Sequence, residues 1–496
     1  MELGYLQSID PRELPRLNAE NFVAEAQALV AQDYHLRAFF GLPEEEKPAK
    51  CGLLAVLAKN GAHKVALLRS QALESYPSLT VICPEAHWFE REIHEQWGLV
   101  PQGHPWLKSI RFHPPLNNPT GPRPLPGETN YFRVDGAHIH EVAVGPVHAG
   151  VIEPGHFRFQ CSGEEVLHLE ISLGFQHRGI ERALQGGPDL RTVHFMENAA
   201  GDTSIAHALA YSLLVENLCQ TEATPRGQLL RRLALELERL ANHTGDLGAL
   251  AGDVGYLPTL SYCGRIRGDF LNMTALLCGK RFGRGLVCPG GSAQDVDAAL
   301  LDDLLARLAT SHKDVRGAVD LSLEAESVRN RYENCGTISR ATASAIGLVG
   351  VAARACGLNP DVRQHFPLPG AEPSDIPPVI CTSGDVYARA LVRSREIDHS
   401  VAFITRAAGK LPPGPTSLPL PALPPHRLAL GMAEGWRGEV WHVALTDARS
   451  RFRAYKIVDP SFHNWFGLAL ALRGEQISDF PLCNKSFNLS YCGHDL

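Results

Sequence analysis

The chain has 496 residues, of which 44% are hydrophobic and 20% charged, with a formal net charge of −7. This composition is typical of a globular protein, and the length allows about two to four hydrophobic cores. No basic stripe with interleaved aromatic residues is present, so nucleic acid is not an expected partner. The N-terminal segment lacks the pattern of a secretory signal, and no run reaches about 18 apolar residues, so we expect no direct membrane span.

Residues 1–115 combine helix-like segments with β-rich runs such as CGLLAVLA and HKVALLRS, a pattern typical of a small α+β domain. Near its end, the charged cluster of Glu90, Glu92, His94 and Glu95 is expected to form either a solvated face or a face that docks on another subunit. The next stretch is dense in Pro, Gly and Asn and cannot propagate a helix or a sheet. Residues 116–140 are therefore predicted to be a linker.

The C-terminal part, residues 141–496, is predicted to be a large, mainly helical bundle with peripheral β hairpins. HFRFQCSGEEVLHLEISLG alternates like paired strands, whereas the leucines of RGQLLRRLALELERLANHTGDLG recur at helical spacing, with charged residues on other faces. Similar helical periodicity runs through DTSIAHALAYSLLVENL, DVDAALLDDLLARLATSHKDV and VYARALVRSREIDHSVAFITRA. The overall fold class is therefore expected to be α+β.

Two later features complete this part. The Pro-rich stretch 411–427 is predicted to be a linker or a strap across the surface, and EVWHVALTDARSRFRAYKIV alternates like a hairpin. Twelve cysteines are scattered along the chain without any Cys-x-x-Cys pair, the spacing typical of zinc sites and iron–sulfur clusters. We therefore expect buried thiols in a reducing compartment and no metal bound by this chain.

Two stretches carry a resemblance to a known family. WFEREIHEQWGLVPQGHPWL resembles the signature of the C-type subunit of complex I, in which an acidic helix and a Gly–His–Pro turn dock on the D-type subunit. GPVHAGVIEPGHFRFQCSGEEVLHLEISLGFQHRGIERAL is similar to the opening of that D-type subunit and of membrane-bound [NiFe]-hydrogenase large subunits. The similarity continues through GLNPDVRQHFP, WRGEV and SFNLSYCGHDL. The resemblance implies a domain like the C-type subunit, fused in front of a domain with the [NiFe]-hydrogenase large-subunit fold.

The resemblance also defines what this chain has lost. Active hydrogenases of the superfamily hold nickel and iron through four thiolates, ligands that suit this soft metal pair. Here Ala200, Thr203, Ser490 and Gly493 stand at those positions, with Cys492 one place out of register. The resemblance therefore implies that no nickel–iron centre is bound and that the chain is not a hydrogenase by itself.

Complex I uses the same cavity differently, binding a quinone head group between a Tyr and a His with an Asp behind the His. A gap-free alignment from Gly145 to His207 places Gly201 at the Tyr position and Ile152 at the His position, whereas the Asp is retained as Asp253. Quinone thus stays a candidate ligand without its usual pair of partners.

Four residues are candidates for the chemistry of this cavity. Glu153 resembles the glutamate that passes protons from the hydrogenase metal site, although a solvated turn acid is the alternative. His156 lies close enough in sequence to reach the same pocket as a proton donor. Asp253 follows a long helix and could equally cap the backbone there. Arg437, in WRGEV, matches an arginine that lines the cavity of the relatives.

Three further residues are candidates for holding a cofactor. His148 could reach the pocket from the same turn as His156, although a structural role is the alternative for each histidine. Asp202 could supply an acid in the emptied site or cap the following helix together with Thr203 and Ser204. His207 lies among apolar residues on a predicted helix, where it could be a ligand or a structural residue.

The resemblance implies a cytoplasmic, peripheral subunit at the inner face of the cell membrane, in a complex of the NADH- or ferredoxin–quinone oxidoreductase type. Its implied partners are a small subunit with a [4Fe–4S] cluster, a ferredoxin-like subunit and antiporter-like membrane subunits. One hypothesis is that the cavity binds a quinone and couples electron transfer to ion translocation. A second is a non-catalytic coupling subunit of an ion- or inorganic-carbon-transporting complex, and a third is an active hydrogenase with substituted ligands.

Overall fold

The computed structural model describes residues 1–45, 47, 50–116, 118, 120–121, 124–125, 129–148 and 152–496. Part of the predicted linker at 116–140 therefore lies outside the described residues, as do residues 149–151 of the turn before His156. The described chain mixes helices and strands and begins with a small N-terminal domain.

The N-terminal domain is built on a sheet with strand order β1-β5-β4-β3, in which β2 also pairs with β5. Strand β4 is buried along almost its whole length, because helices pack on the sheet and the C-terminal part covers it as well. The elements in chain order are β1 (Glu2–Gly4), β2 (Arg16–Leu17), α1 (Ala19–Val30), β3 (Tyr34–Pro43), β4 (Cys51–Lys59), β5 (Lys64–Ser70), β6 (Ser75–Pro77), α2 (His87–Trp97) and β7 (Val100–Gln102).

The C-terminal part begins with strands and continues mainly as helices. Its elements are β8 (Ile139–Val144), β9 (His156–Ser162), β10 (Glu165–Ser172), α3 (Ile180–Ala183), α4 (Thr192–Glu197), α5 (Ser204–Cys219), α6 (Pro225–Asp253), α7 (Leu257–Cys278), β11 (Val287–Cys288), β12 (Gly291–Ser292), α8 (Ala298–Leu323), α9 (Glu326–Tyr332), α10 (Arg340–Ala345), α11 (Gly350–Ala355), α12 (Val362–His365), α13 (Val386–Ala408), β13 (Leu428–Glu434), β14 (Glu439–Thr446), β15 (Phe452–Val458), α14 (Pro460–Ala471), α15 (Phe480–Phe487) and α16 (Tyr491–Asp495).

Helices α6, α7, α8 and α13 pack on one another as a bundle. Helix α6 begins where the Thr224 side chain accepts a hydrogen bond from the Gly227 amide, with Pro225 at the first helical position. Its leucines are buried as their spacing predicts, except Leu229, which is partly buried. Most of the charged residues on its other faces are buried too, because elements that pack there supply partners, such as Glu216 for Arg231.

Both predicted hairpins are present. Strands β9 and β10 pair antiparallel, and β14 pairs antiparallel with β15 while β13 lies on the other side of β14. The Pro-rich segment 411–427 is a strap rather than a linker between domains. Its backbone is held by Gly290 and Ser292, which bond to Leu418 and Thr416 respectively.

Helix α2 joins the N-terminal domain to the C-terminal part. The expectation of a solvated acidic face is wrong: Glu90, Glu92 and Glu95 are 0%, 1% and 7% exposed. The carboxylate of Glu92 lies 2.6 Å from the Lys456 ammonium on β15 and also pairs with Arg111. Because cations and backbone amides replace water around these acids, the charged face of α2 is a docking face toward the same chain.

None of the helices formed by the described residues combines the length and the apolar character that crossing a membrane requires.

Candidate functional site

A cavity of about 1010 Å³ lies between the β8–β9 turn, the segment before α5, the end of α6 and the C-terminal segment around α15. Five of the seven candidate residues line it: His148, Glu153, Asp202, Asp253 and Arg437. The tertiary fold thus brings together side chains from four separated regions of the sequence. Its lining also includes Val144, Ile152, Phe159, Gly201, Ile477, Phe480, Pro481, Asn484, Lys485, Asn488, Leu489, Ser490, Tyr491 and Cys492.

An ion pair between Asp202 and Arg437 forms one wall. The two guanidinium terminal nitrogens lie 2.6 and 2.7 Å from the two carboxylate oxygens, and the Arg437 Nε donates to the Asn488 carbonyl at 2.5 Å. Burial alone would raise the pKa of Asp202, but Arg437 outweighs it and holds the pKa below its usual value. The helix-cap alternative for Asp202 is contradicted, because α5 begins at Ser204 without a capping side-chain hydrogen bond.

Two other carboxylates face the cavity. Glu153 accepts a hydrogen bond from the Tyr491 amide at 3.1 Å, so it is held by the C-terminal segment rather than being a free turn acid. Asp253 is the last residue of α6. Although Asp253 is exposed, partial desolvation by the surrounding protein raises its pKa to about 6, an effect that the nearby Lys485 ammonium partly opposes.

The three candidate histidines have different surroundings. His148 lines the cavity and contacts the Gly155 carbonyl through Nε2 at 2.9 Å. His156, on β9, is not part of the lining; its Nδ1 lies 3.1 Å from the Gly145 carbonyl oxygen. His207 is fully buried outside the lining, between Asp459 at 3.0 Å and His442 at 3.1 Å. The structure therefore does not bring His156 or His207 to the cavity surface.

The four positions where the resemblance places metal ligands lie on two segments, one before α5 and one at the start of α16. Ala200 is buried, and the Thr203 hydroxyl accepts a hydrogen bond from Arg437 at 3.2 Å. The Ser490 hydroxyl accepts from the Gly493 amide and caps α16. Among the described residues, Cys492 contributes the one thiol of the lining, and burial raises its pKa to about 11. This donor set is too poor in thiolates to hold a nickel–iron pair.

Several residues of the site were not recognisable from the sequence. Lys485, Asn488 and Tyr491 face the cavity from the C-terminal segment, where the family-like run NKSFNLSYC was the available signal. Glu238, on α6, lies near Asp202 and accepts hydrogen bonds from the Ile205 and Ala206 amides at 2.7 and 3.3 Å. Its position among the leucines of LELERLANH gave no sign of this role.

Glu238 should make stability depend on pH. Burial raises its pKa from 4.5 to about 8, so the folded chain holds this proton more tightly than the unfolded chain does. The contribution of Glu238 to the free energy of unfolding is then complete below about pH 4.5 and is lost as the pH rises through 8. The free energy of unfolding falls by at most about 1.4 kcal/mol per pH unit in this range. Denaturant unfolding of Glu238→Gln across this range should show a flatter pH profile than the parent chain. An unchanged pH profile in Glu238→Gln would contradict the raised pKa of Glu238 in the folded chain.

Comparison with known proteins agrees with this architecture. Residues 16–122 match the family model of the respiratory-chain NADH dehydrogenase 30 Kd subunit, and residues 253–426 match that of the 49 Kd subunit. Hydrogenase-4 component G of Escherichia coli is 29% identical over 481 residues, covering 92% of this chain and 83% of that protein. Formate hydrogenlyase subunit 5 of the same organism is 30% identical over 435 residues, covering 84% and 76%.

A third relative is covered over more of its own length than the first two. NADH-quinone oxidoreductase subunit 4 of Thermus thermophilus is 30% identical over 381 residues, which cover 71% of this chain and 92% of that protein. The chain therefore belongs to the complex I and hydrogenase family of proteins in which regions like the C-type and D-type subunits are fused.

Proposed function

We propose that this chain is a peripheral subunit of a membrane-associated oxidoreductase complex, and that its cavity binds a quinone or a similar small acceptor. The observation that carries this proposal is the two-sided lining of a cavity of about 1010 Å³. Ile152, Phe159 and Phe480 supply apolar surface, whereas Asp202, Arg437 and Asp253 supply charge. A site with mostly apolar walls and a few convergent polar groups suits a ring that carries carbonyl oxygens on an apolar body.

The charged groups can perform the chemistry that such an acceptor needs. Reduction of a quinone to a quinol consumes two electrons and two protons. Asp253, with a pKa of about 6, can release and regain a proton near neutral pH. Arg437 is held in place by Asp202, so it presents a fixed positive charge to an oxygen that gains electron density.

A phenol and an imidazole are also present in the cavity, although not at the positions that the resemblance implies. Gly201 and Ile152 occupy those positions, and both line the cavity. Tyr491 enters the lining from the C-terminal segment, and His148 enters it from the same turn as Ile152. The two side chains meet around Gly155: a Cβ added there would lie 2.6 Å from the Tyr491 ring, and the Gly155 carbonyl contacts His148. In this proposal Tyr491 and His148 take over the hydrogen bonds to the head group.

The partners in this proposal come from the family. A small subunit with a [4Fe–4S] cluster would deliver electrons beside the cavity, a ferredoxin-like subunit would supply them, and antiporter-like membrane subunits would move ions. The chain would lie in the cytoplasm against the inner face of the membrane. Within it, residues 1–115 form the domain like the C-type subunit, 116–140 the linker and 141–496 the hydrogenase large-subunit-like domain.

The test is quinone-dependent electron transfer by the purified complex carrying Asp253→Asn. An amide of the same shape cannot titrate, so we expect turnover to fall by about 10²–10⁴-fold, the usual contribution of a proton-transfer group. Asp269→Asn, which alters an exposed carboxylate paired with Arg265 on α7, is the matched control.

The outcomes separate the competing functions. Undiminished turnover in Asp253→Asn would show that the acceptor is reduced elsewhere. A complex that moves ions without any quinone-dependent turnover would favour a silent coupling subunit. Stoichiometric nickel in the isolated complex would overturn the proposal in favour of a hydrogenase.

A further inference from the structure

A second group of metal-ligating side chains lies outside the cavity lining. Cys335 follows α9, and Glu475 and Asp479 belong to the turn between α14 and α15. One ligand atom from each of the three residues lies within 4.8 Å of the other two. The turn is held in place by the Glu475 carboxylate, which accepts a hydrogen bond from the Gly336 amide at 2.8 Å.

A second thiol stands beside this group. The Cys483 Sγ, on α15, lies 3.6 Å from the Cys335 Sγ, and the two residues are 0% and 8% exposed. Two sulfur ligands about 2.3 Å from a tetrahedral zinc ion lie about 3.8 Å apart, so the two thiols are close enough for one ion to reach both once the Cys483 side chain rotates. Neither thiol has a hydrogen-bonded oxygen partner among the described residues; each contacts the other.

A divalent cation would balance the charges around these four donor side chains. Two thiolates and two carboxylates that bind one cation carry four negative charges. Arg331, 3.0 Å from Asp479, and the buried Arg389, bonded to the Gly336 carbonyl, supply two positive charges. A cation of charge +2 would complete neutrality.

We propose that Cys335, Glu475 and Asp479 bind a divalent cation of the zinc type, with Cys483 as fourth ligand after rotation of its side chain. Thiolate donors select a borderline or soft cation over magnesium or calcium. The site would pin α15, whose Phe480 and Lys485 line the cavity, to the loop after α9. The inference does not depend on what the cavity binds.

The test is cobalt(II) and zinc binding to the full-length chain, kept reduced and stripped of metal. The parent chain should bind one cobalt ion with a thiolate-to-cobalt charge-transfer band, and zinc should displace it. Removing a residue that hydrogen-bonds to a metal ligand lowers metal affinity by about 10–100-fold. Removing the ligand itself in Cys335→Ser should therefore lower cobalt affinity by at least about 100-fold. Asp479→Asn, at a partly exposed position, should also weaken binding and is the less disruptive variant.

Cys492→Ser is the matched control, because it removes a buried thiol from the cavity wall instead. It should bind cobalt as the parent chain does, and circular dichroism should confirm that all variants are folded. The proposal is overturned if the parent chain binds no stoichiometric cobalt, if folded Cys335→Ser keeps the charge-transfer band, or if Cys492→Ser abolishes it.

Discussion

Replacing Arg354 with methionine should lower the free energy of unfolding by about 3–5 kcal/mol, the usual effect of removing one partner from a buried ion pair. Arg354 is fully buried on α11. Its guanidinium lies 2.7 Å from Glu434, 2.8 Å from Glu396 and 3.5 Å from Asp361. Methionine fills similar space but leaves the buried Glu434 carboxylate without its paired cation, while Arg363 still pairs with Asp361 and Glu396. Because the three acids belong to β13, α13 and the segment before α12, the loss weakens the centre of the C-terminal part.

Denaturant midpoints of the parent chain and the variant provide the measurement. Arg329→Met is the matched control, because its partner Glu333 lies on the surface, and removing such an exposed pair costs about 0–1 kcal/mol. Arg354→Met combined with Glu434→Gln removes the carboxylate that has lost its paired cation and should recover part of the loss. Equal midpoints for Arg354→Met and Arg329→Met would contradict the structural role of Arg354.

Gly201→Trp should strongly lower quinone-dependent turnover of the complex while leaving the chain folded. A Cβ added to Gly201 would have no atom of the described residues within 4 Å, so its side chain would extend into the cavity beside Asp202 and Arg437. An indole there would displace the acceptor from Arg437, and misplacement by about 1 Å can cost about 100-fold in rate. We therefore expect quinone-dependent turnover of the purified complex to fall by at least this factor.

Gly201→Ala is the control, because a methyl group is too small to occupy the cavity. It should keep turnover close to that of the parent complex, and both variants should keep the parent denaturation midpoint. Full turnover in folded Gly201→Trp would place the acceptor outside this cavity and would argue against the proposed function.

The helices and hairpins were predictable because their signals are local. The leucine spacing of α6 and the alternation of β14 and β15 each follow from side chains only a few residues apart. The acidic helix α2 shows where that reasoning stops. Its charged residues predict a solvated surface unless cations such as Lys456, more than 350 residues later, are known to meet them.

For the site, the family-like motifs identified five residues that do line the cavity, because the motifs mark segments that converge in this fold. The same motifs wrongly predicted that His156 and His207 reach the cavity, because closeness in sequence does not say which way a side chain points. His207 looks into the interior, where Asp459 and His442 occupy its ring nitrogens. They also gave no sign that Cys335 and Cys483, 148 residues apart, would lie side by side.

By itself, the sequence determined the family, the mixed helix and strand content and the replacement of the four thiolate positions, because each of these depends on residue identity along the chain. Only the tertiary structure decided which acids are paired, which face the cavity and which thiols meet. Those properties depend on distance and burial, and the Asp202–Arg437 pair illustrates this, since its partners are 235 residues apart and bind through two atoms each.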